Sequence, residues 1–84
     1  MIEIRFFAAL RERVGSDSLT VTPPDGVDTV AALVAWLADD NAPVAGALEA
    51  TPRYMVAVNE VLSQEQAAVR DGDVVALFPP VTGG

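Results

Sequence analysis

The residues of this sequence best suited to chemistry are the last six, Pro79-Pro80-Val81-Thr82-Gly83-Gly84. Two residues without Cβ can thread a channel too narrow for side chains, and two prolines hold the preceding chain extended. The α-carboxylate of Gly84 then stands at the tip of a thin arm. At an average glycine usage of about 7%, two terminal glycines arise by chance in roughly one chain in 200, and chain ends also tolerate small residues that do nothing. A carboxylate is a poor acyl donor because oxide is a poor leaving group. Chemistry at Gly84 therefore requires activation, most directly as an acyl-adenylate made from ATP by another protein. Replacement of the adenylate by sulfur would leave a C-terminal thiocarboxylate, a nucleophile carried on a flexible arm.

The side chains offer little that competes with this arm. The 84 residues include no cysteine and no histidine, which removes thiolate nucleophiles, disulfides, the usual general base at neutral pH and the commonest zinc ligands. No nucleophile–base pair can be assembled, so an enzyme acting alone is the weakest reading. Asp71 and Asp73 flank Gly72, but no further carboxylate follows at calcium-loop spacing; a turn is expected there and no metal site. Twelve acidic residues against five basic ones give a net charge of −7, which opposes nucleic acid and anionic membranes and favours a partner with a basic surface. All five basic residues are arginine (Arg5, Arg11, Arg13, Arg53, Arg70), so the chain could donate its terminus but offers no lysine to accept one. The N-terminus lacks the basic-then-apolar order of a secretory signal, and no apolar run reaches membrane-spanning length; a cytoplasmic location is expected.

The arm needs a rigid base, and the patterning supplies one. Ile2, Ile4 and Phe6 alternate with Glu3, Arg5 and Phe7, the two-residue period of a strand buried on one face. Ala8 to Val14 suits a short helical segment ending at Gly15, and Ser18 to Thr22 a second, antiparallel strand stopped by Pro23-Pro24. Asp28 or Thr29 can cap a helix in which Val30, Leu33, Val34 and Leu37 form one apolar stripe. That helix should fade at Asp39-Asp40-Asn41, with a further helical piece over Val44 to Ala50. Tyr54 to Asn59 reads as β, Asn59-Glu60 as a turn, and Arg70-Asp71-Gly72-Asp73 as the turn before a last strand, Val74 to Phe78. Length fits one domain of the α+β class: a ubiquitin-like β-grasp over residues 1–78, a mixed sheet with one main crossover helix on one face, followed by a flexible diglycine tail over 79–84. In this arrangement the first and last strands lie side by side and parallel. Phe7 and Phe78 fall out of phase with the core set on those strands, so both are expected on the uncovered face as a partner-docking surface. Arg11, Glu12 and Arg13 could steer docking or simply be solvated, and Trp36 could flank the core or form part of a contact.

Several segments together resemble the small subunit of molybdopterin synthase: Ile4-Arg5-Phe6-Phe7-Ala8, Arg11-Glu12 with Val14-Gly15, Val56-Ala57-Val58-Asn59, Asp71-Gly72-Asp73-Val74 and Phe78-Pro79-Pro80-Val81-Thr82-Gly83-Gly84. The last is the most specific, since ubiquitin and other sulfur carriers share the diglycine but not usually the full ending. The resemblance implies a sulfur carrier that is not itself catalytic. An adenylating activating enzyme would use ATP to charge Gly84, and a sulfur donor protein would convert it to the thiocarboxylate. Pro79, Pro80, Val81, Thr82 and Gly83 would then thread a channel of the large synthase subunit. There the sulfur would pass to a cyclic pyranopterin monophosphate in molybdenum cofactor biosynthesis, in a heterotetramer of two small and two large subunits. No cofactor is expected on the chain itself. Two alternatives stay open: delivery of sulfur to another pathway, and a ubiquitin-like modifier or interaction module.

Overall fold

A computed structural model of the chain describes residues 1–80. The elements are β1 (Ile2–Phe6), α1 (Ala8–Val14), β2 (Ser18–Val21), α2 (Val30–Asp40), α3 (Ala42–Glu49), β3 (Met55–Val58), β4 (Val61–Ser63) and β5 (Val74–Phe78). The strands form one five-stranded sheet in the order β2-β1-β5-β3-β4. β1 and β5 run parallel with Glu3 beside Val74 and Phe6 beside Leu77, whereas the β1–β2, β3–β4 and β3–β5 pairs are antiparallel. This is the α+β β-grasp arrangement expected. The main helix is accompanied by α1 and α3, so the sheet's covered side is more fully roofed than one crossover helix would make it.

One core lies between sheet and helices. Ile2, Ile4 and Phe6 of β1 and Val75 and Leu77 of β5 meet Leu10 of α1, Val30, Leu33 and Leu37 of α2, and Val44 and Ala47 of α3. Phe6, Ile4, Leu10 and Leu33 are the largest of its fully enclosed side chains, and truncating any of them would cost about 2–5 kcal/mol. Val34 and Trp36 are half-buried against this cluster, which makes Trp36 a flank of the core.

The helix ends follow from local chemistry. Thr29 Oγ1 accepts from the Ala32 N–H at 3.2 Å and caps α2, deciding between Asp28 and Thr29. The free N–H groups of Val30 and Ala31 donate to the carbonyls of Ala67 (2.9 Å) and Glu65 (3.0 Å), while Val69, fully buried, donates its N–H to Asp28. The stretch from Glu65 to Val69 is thereby stitched to the start of α2. α3 begins at Ala42, two residues before the helical piece expected from Val44, because Asn41 Oδ1 caps it through the Val44 N–H at 3.1 Å and Pro43 sits in the first turn, where a missing N–H is harmless. β2 stops at Val21 rather than Thr22. β4 was not expected as a strand; it is three residues long, too short for alternation to reveal. No helix among the described residues is long and apolar enough to cross a membrane.

A latch of side chains holds the start of β5. Asn59 and Glu60 both take positive φ (50° and 68°) in the turn between β3 and β4. Asn59 donates its backbone N–H to the Val74 carbonyl (2.8 Å) and accepts the Val74 N–H on Oδ1 (3.0 Å), while its Nδ2 donates to Asp73 Oδ1 (3.0 Å). Asp73 Oδ2 also accepts the Arg70 N–H at 2.8 Å. The Asn59 amide first, and the Arg70 N–H second, hold the Asp73 carboxyl below the ordinary aspartate range. A carboxyl whose native pKa lies below its unfolded one adds stability that is fully present above the ordinary aspartate range and is lost as pH falls through the lowered native value. Denaturation midpoints measured across that acid range should therefore fall less in Asp73→Asn than in the native chain. Parallel profiles for the two proteins would contradict this assignment.

Candidate functional site

The sheet's second face is built by the residues that alternate with the core. The register aligns Glu3 with Val74, then Arg5 with Ala76, Ala57 and Leu62, then Phe78 with Met55. Phe7 lies one residue past β1, yet its backbone is still extended (φ −125°, ψ 151°) and its N–H donates to the Leu77 carbonyl at 3.1 Å. It therefore continues the parallel ladder by one step, which sets it beside Phe78. Glu3 and Arg5 form an ion pair on β1. The face is thus charged on the β1 side and apolar across β5, β3 and β4.

Both aromatic residues singled out by phase belong to this face. Phe7 is 45% exposed and Phe78 is half-buried between its neighbours. Leu62, 61% exposed, extends the apolar area to the sheet edge, with Met55, Ala57 and Ala76 between. These four were not identified from sequence. The usable signal was the Asn59-Glu60 turn, which obliges the following Val61-Leu62-Ser63 to fold back on β3 and fixes by register which of them shares a face with Ala57. A contiguous apolar patch left in water, rather than a single exposed side chain, is what marks a docking surface.

The tail starts on this same rim. Phe78 closes β5; Pro79 is half-buried, Pro80 is exposed, and neither adds a rung to the sheet, as expected from two residues without backbone donors. Val81, Thr82, Gly83 and Gly84, to which the reactive terminus and most of the threading segment were assigned, lie outside the described residues.

Other candidates resolve into structural roles. Arg13 Nη1 donates to the Ala50 carbonyl and to Thr51 Oγ1, both at 2.8 Å, and so ties α1 to the end of α3; Arg11 and Glu12 are exposed. Asp71 pairs with the Met1 amino group and Asp73 with the latch, and no group of three potential acidic ligands occurs among the described residues. A groove of about 870 Å³ runs between α2 and the β3–β4 hairpin, walled by Val30, Val34 and Val56 and rimmed by Arg53, Tyr54 and Glu65. Burial first, and Glu65 second, push the Tyr54 hydroxyl above its ordinary value, so it stays protonated at neutral pH. The groove offers a hydroxyl, amides and a carboxylate, with no nucleophile activated in it.

A β-grasp sheet with one covered and one open face, whose last strand ends at the rim of the open face six residues before a diglycine terminus in the sequence, is the build of small carrier and modifier domains. Within it, the chain belongs to the ThiS family, which it matches over residues 4–84. It is similar over its full length to the molybdopterin synthase sulfur carrier subunit of Escherichia coli (strain K12), with 43% identity over 84 residues covering 100% of both chains. Among solved structures it resembles the small archaeal modifier protein SAMP1 from Haloferax volcanii, at a TM-score of 0.77 and 29% identity, covering 99% of this chain and 98% of that one. It also resembles a chain in the protein–protein complex of subunits 1 and 2 of molybdopterin-converting factor from Helicobacter pylori 26695, at a TM-score of 0.66 and 26% identity over 99% and 97% of the two chains.

Leu62 and Val56 sit on adjacent strands but on opposite faces, and their substitutions should separate accordingly. Leu62→Ser should change unfolding free energy by under about 0.5 kcal/mol, as for an exposed position. Val56→Ala, which empties part of the core, should cost about 1–3 kcal/mol in the same denaturant titration. A Leu62→Ser loss as large as that of Val56→Ala would mean that Leu62 packs into the fold and leaves no open patch.

Proposed function

We propose that this chain is the sulfur carrier subunit of a molybdopterin synthase, a protein that supplies recognition and delivery and leaves acid–base chemistry to its partners. The observation that supports this most directly is the end-to-end match to a sulfur carrier subunit, with the diglycine ending intact and the tail departing beside the exposed Phe7. A carrier has no need of catalytic side chains, and the absence of cysteine and histidine agrees with that role.

The reaction follows from the chemistry of a carboxylate. In an activating enzyme, an oxygen of the Gly84 carboxylate attacks the α-phosphorus of ATP, and pyrophosphate leaves. Hydrosulfide released by a donor protein then attacks the acyl carbon, AMP departs with the bonding electrons, and loss of the sulfur's proton leaves the terminus as a thiocarboxylate. In the large synthase subunit that sulfur attacks a phosphate-bearing carbon of the cyclic pyranopterin monophosphate, the carbon–oxygen bond opens with its electrons onto the phosphate, and water then cleaves the thioester link, leaving sulfur on the pterin and returning Gly84 as a carboxylate. Phe7 and Phe78 dock the domain, while Pro79, Pro80, Val81, Thr82 and Gly83 carry Gly84 into the partner's channel. Two residues without Cβ at the narrowest point allow passage that any side chain would obstruct. Activation, sulfur transfer and delivery all belong to the cytoplasm in this reading.

The likeness to SAMP1 favours one second reading, a modifier whose Gly84 forms isopeptides with other proteins. Slower-migrating conjugates in cell lysate that vanish on deleting Gly83-Gly84 would support it; their absence, with pterin sulfuration intact, favours the carrier.

Two variants test the carrier reading. Deleting Gly83-Gly84 should abolish pyrophosphate release by the activating enzyme while leaving the fold and its melting temperature unchanged. Phe78→Ala should weaken binding to the large synthase subunit by roughly tenfold or more, the effect of removing an aromatic anchor, with a smaller relative effect on melting temperature. Collapse of the fold in Phe78→Ala, or undiminished pyrophosphate release from the truncated chain, would contradict the assignment.

A further inference from the structure

The chain enters α1 through Ala8 in the left-handed region, at φ 54°. Ala8 is exposed, so no packing accounts for a Cβ there, and alanine is less favourable in this conformation than glycine. Its neighbour Phe7 is held from both sides. The Phe7 N–H is spent on the Leu77 carbonyl at 3.1 Å, and the Phe7 carbonyl accepts from the N–H groups of Leu10 (3.2 Å) and Arg11 (3.4 Å). The backbone must therefore switch from extended at Phe7 to helical within one residue, and Ala8 makes that switch. The outcome is an aromatic ring that stays 45% in water on a backbone fixed at both ends.

We infer that Ala8 is a positioning residue: its left-handed conformation pre-organises Phe7 for docking, and alanine rather than glycine keeps the junction stiff. A glycine satisfies φ 54° without strain but also populates many other conformations, so the exposed ring would have to be ordered again on each binding event. The local cost accepted at Ala8 is of the kind found where a fixed geometry serves recognition. This inference rests on the docking role given to Phe7 under the proposed function, and the experiment separates the two.

Binding to the molybdopterin synthase large subunit of the same organism is measured for the native chain, Phe7→Ala, Ala8→Gly and Ala8→Asn, with melting temperature and amide exchange at Phe7 recorded for each. Ala8→Gly is expected to keep or raise the melting temperature, to speed exchange at Phe7, and to weaken binding about fivefold, the effect of ordering roughly one residue's backbone. Ala8→Asn, which tolerates the left-handed region without glycine's freedom, should restore both binding and exchange protection. A large loss in Phe7→Ala with native binding in Ala8→Gly would overturn the inference while leaving the docking face intact. Equal losses in Ala8→Gly and Ala8→Asn would also overturn it, because stiffness would then not be the property that matters. Native binding in Phe7→Ala would remove the docking face, and this inference with it.

Discussion

The parallel pairing of β1 with β5 is the constraint on which the rest of the molecule depends. Parallel neighbours run toward the same end of the sheet, so the residue that follows β1 and the residues that follow β5 emerge together. That is why Phe7, at one end of the chain, lies beside Phe78, and why the tail leaves from the rim of the face that bears both. An antiparallel pairing would have put the tail at the far end of the sheet, away from Phe7. The connection between two parallel strands must cross over the sheet, and here the crossover includes α2, which together with α1 and α3 roofs one face and leaves the other open. The two faces thus acquire different purposes from a single topological choice: one holds the molecule together and the other meets the solvent.

The division between scaffold and chemistry is unusually clean. Every fully buried large side chain is apolar, and among the described residues no buried side-chain polar atom is left without a partner. Its polar interactions instead fix the chain at the places where the sheet is most easily frayed. The Asn59–Asp73 latch secures the first residue of β5, and Arg13 secures the junction of α1 with α3. A rigid base matters for a carrier, since the reach and direction of a short arm are set by the strand from which it departs.

Much of this was legible in the residues. The alternation of Ile2, Ile4 and Phe6, the stripe of Val30, Leu33 and Leu37, and the Asp-Gly turn before Val74 are local signals strong enough to fix β1, α2 and β5, and tertiary structure agreed with each. The phase of Phe7 and Phe78 was readable for the same reason. What was not readable depended on contacts distant in sequence. The early start of α3 is the exception, since its cause is local: Asn41 caps the helix and Pro43 fits its first turn. β4 is a strand only because β3 offers it an edge. Val69 is buried because its segment bonds to the start of α2, whereas the place of Leu62 on the open face was signalled only indirectly, through the Asn59-Glu60 turn. Arg13 looked like a surface charge, and only the fold brings Ala50 and Thr51 within its reach. The left-handed Ala8 had no signal at all, since the residue type gives no hint of that conformation.

The central claim is that Gly84 carries sulfur, and the most direct measurement is the intact mass of the protein isolated from its own cells, compared with protein made where no activating enzyme is present. The account predicts a gain of about 16 Da, one oxygen replaced by sulfur, confined to the C-terminal peptide. An unchanged mass, even after incubation with ATP, an activating enzyme and a sulfur donor, would contradict it and leave the open face as the surface of a binding module.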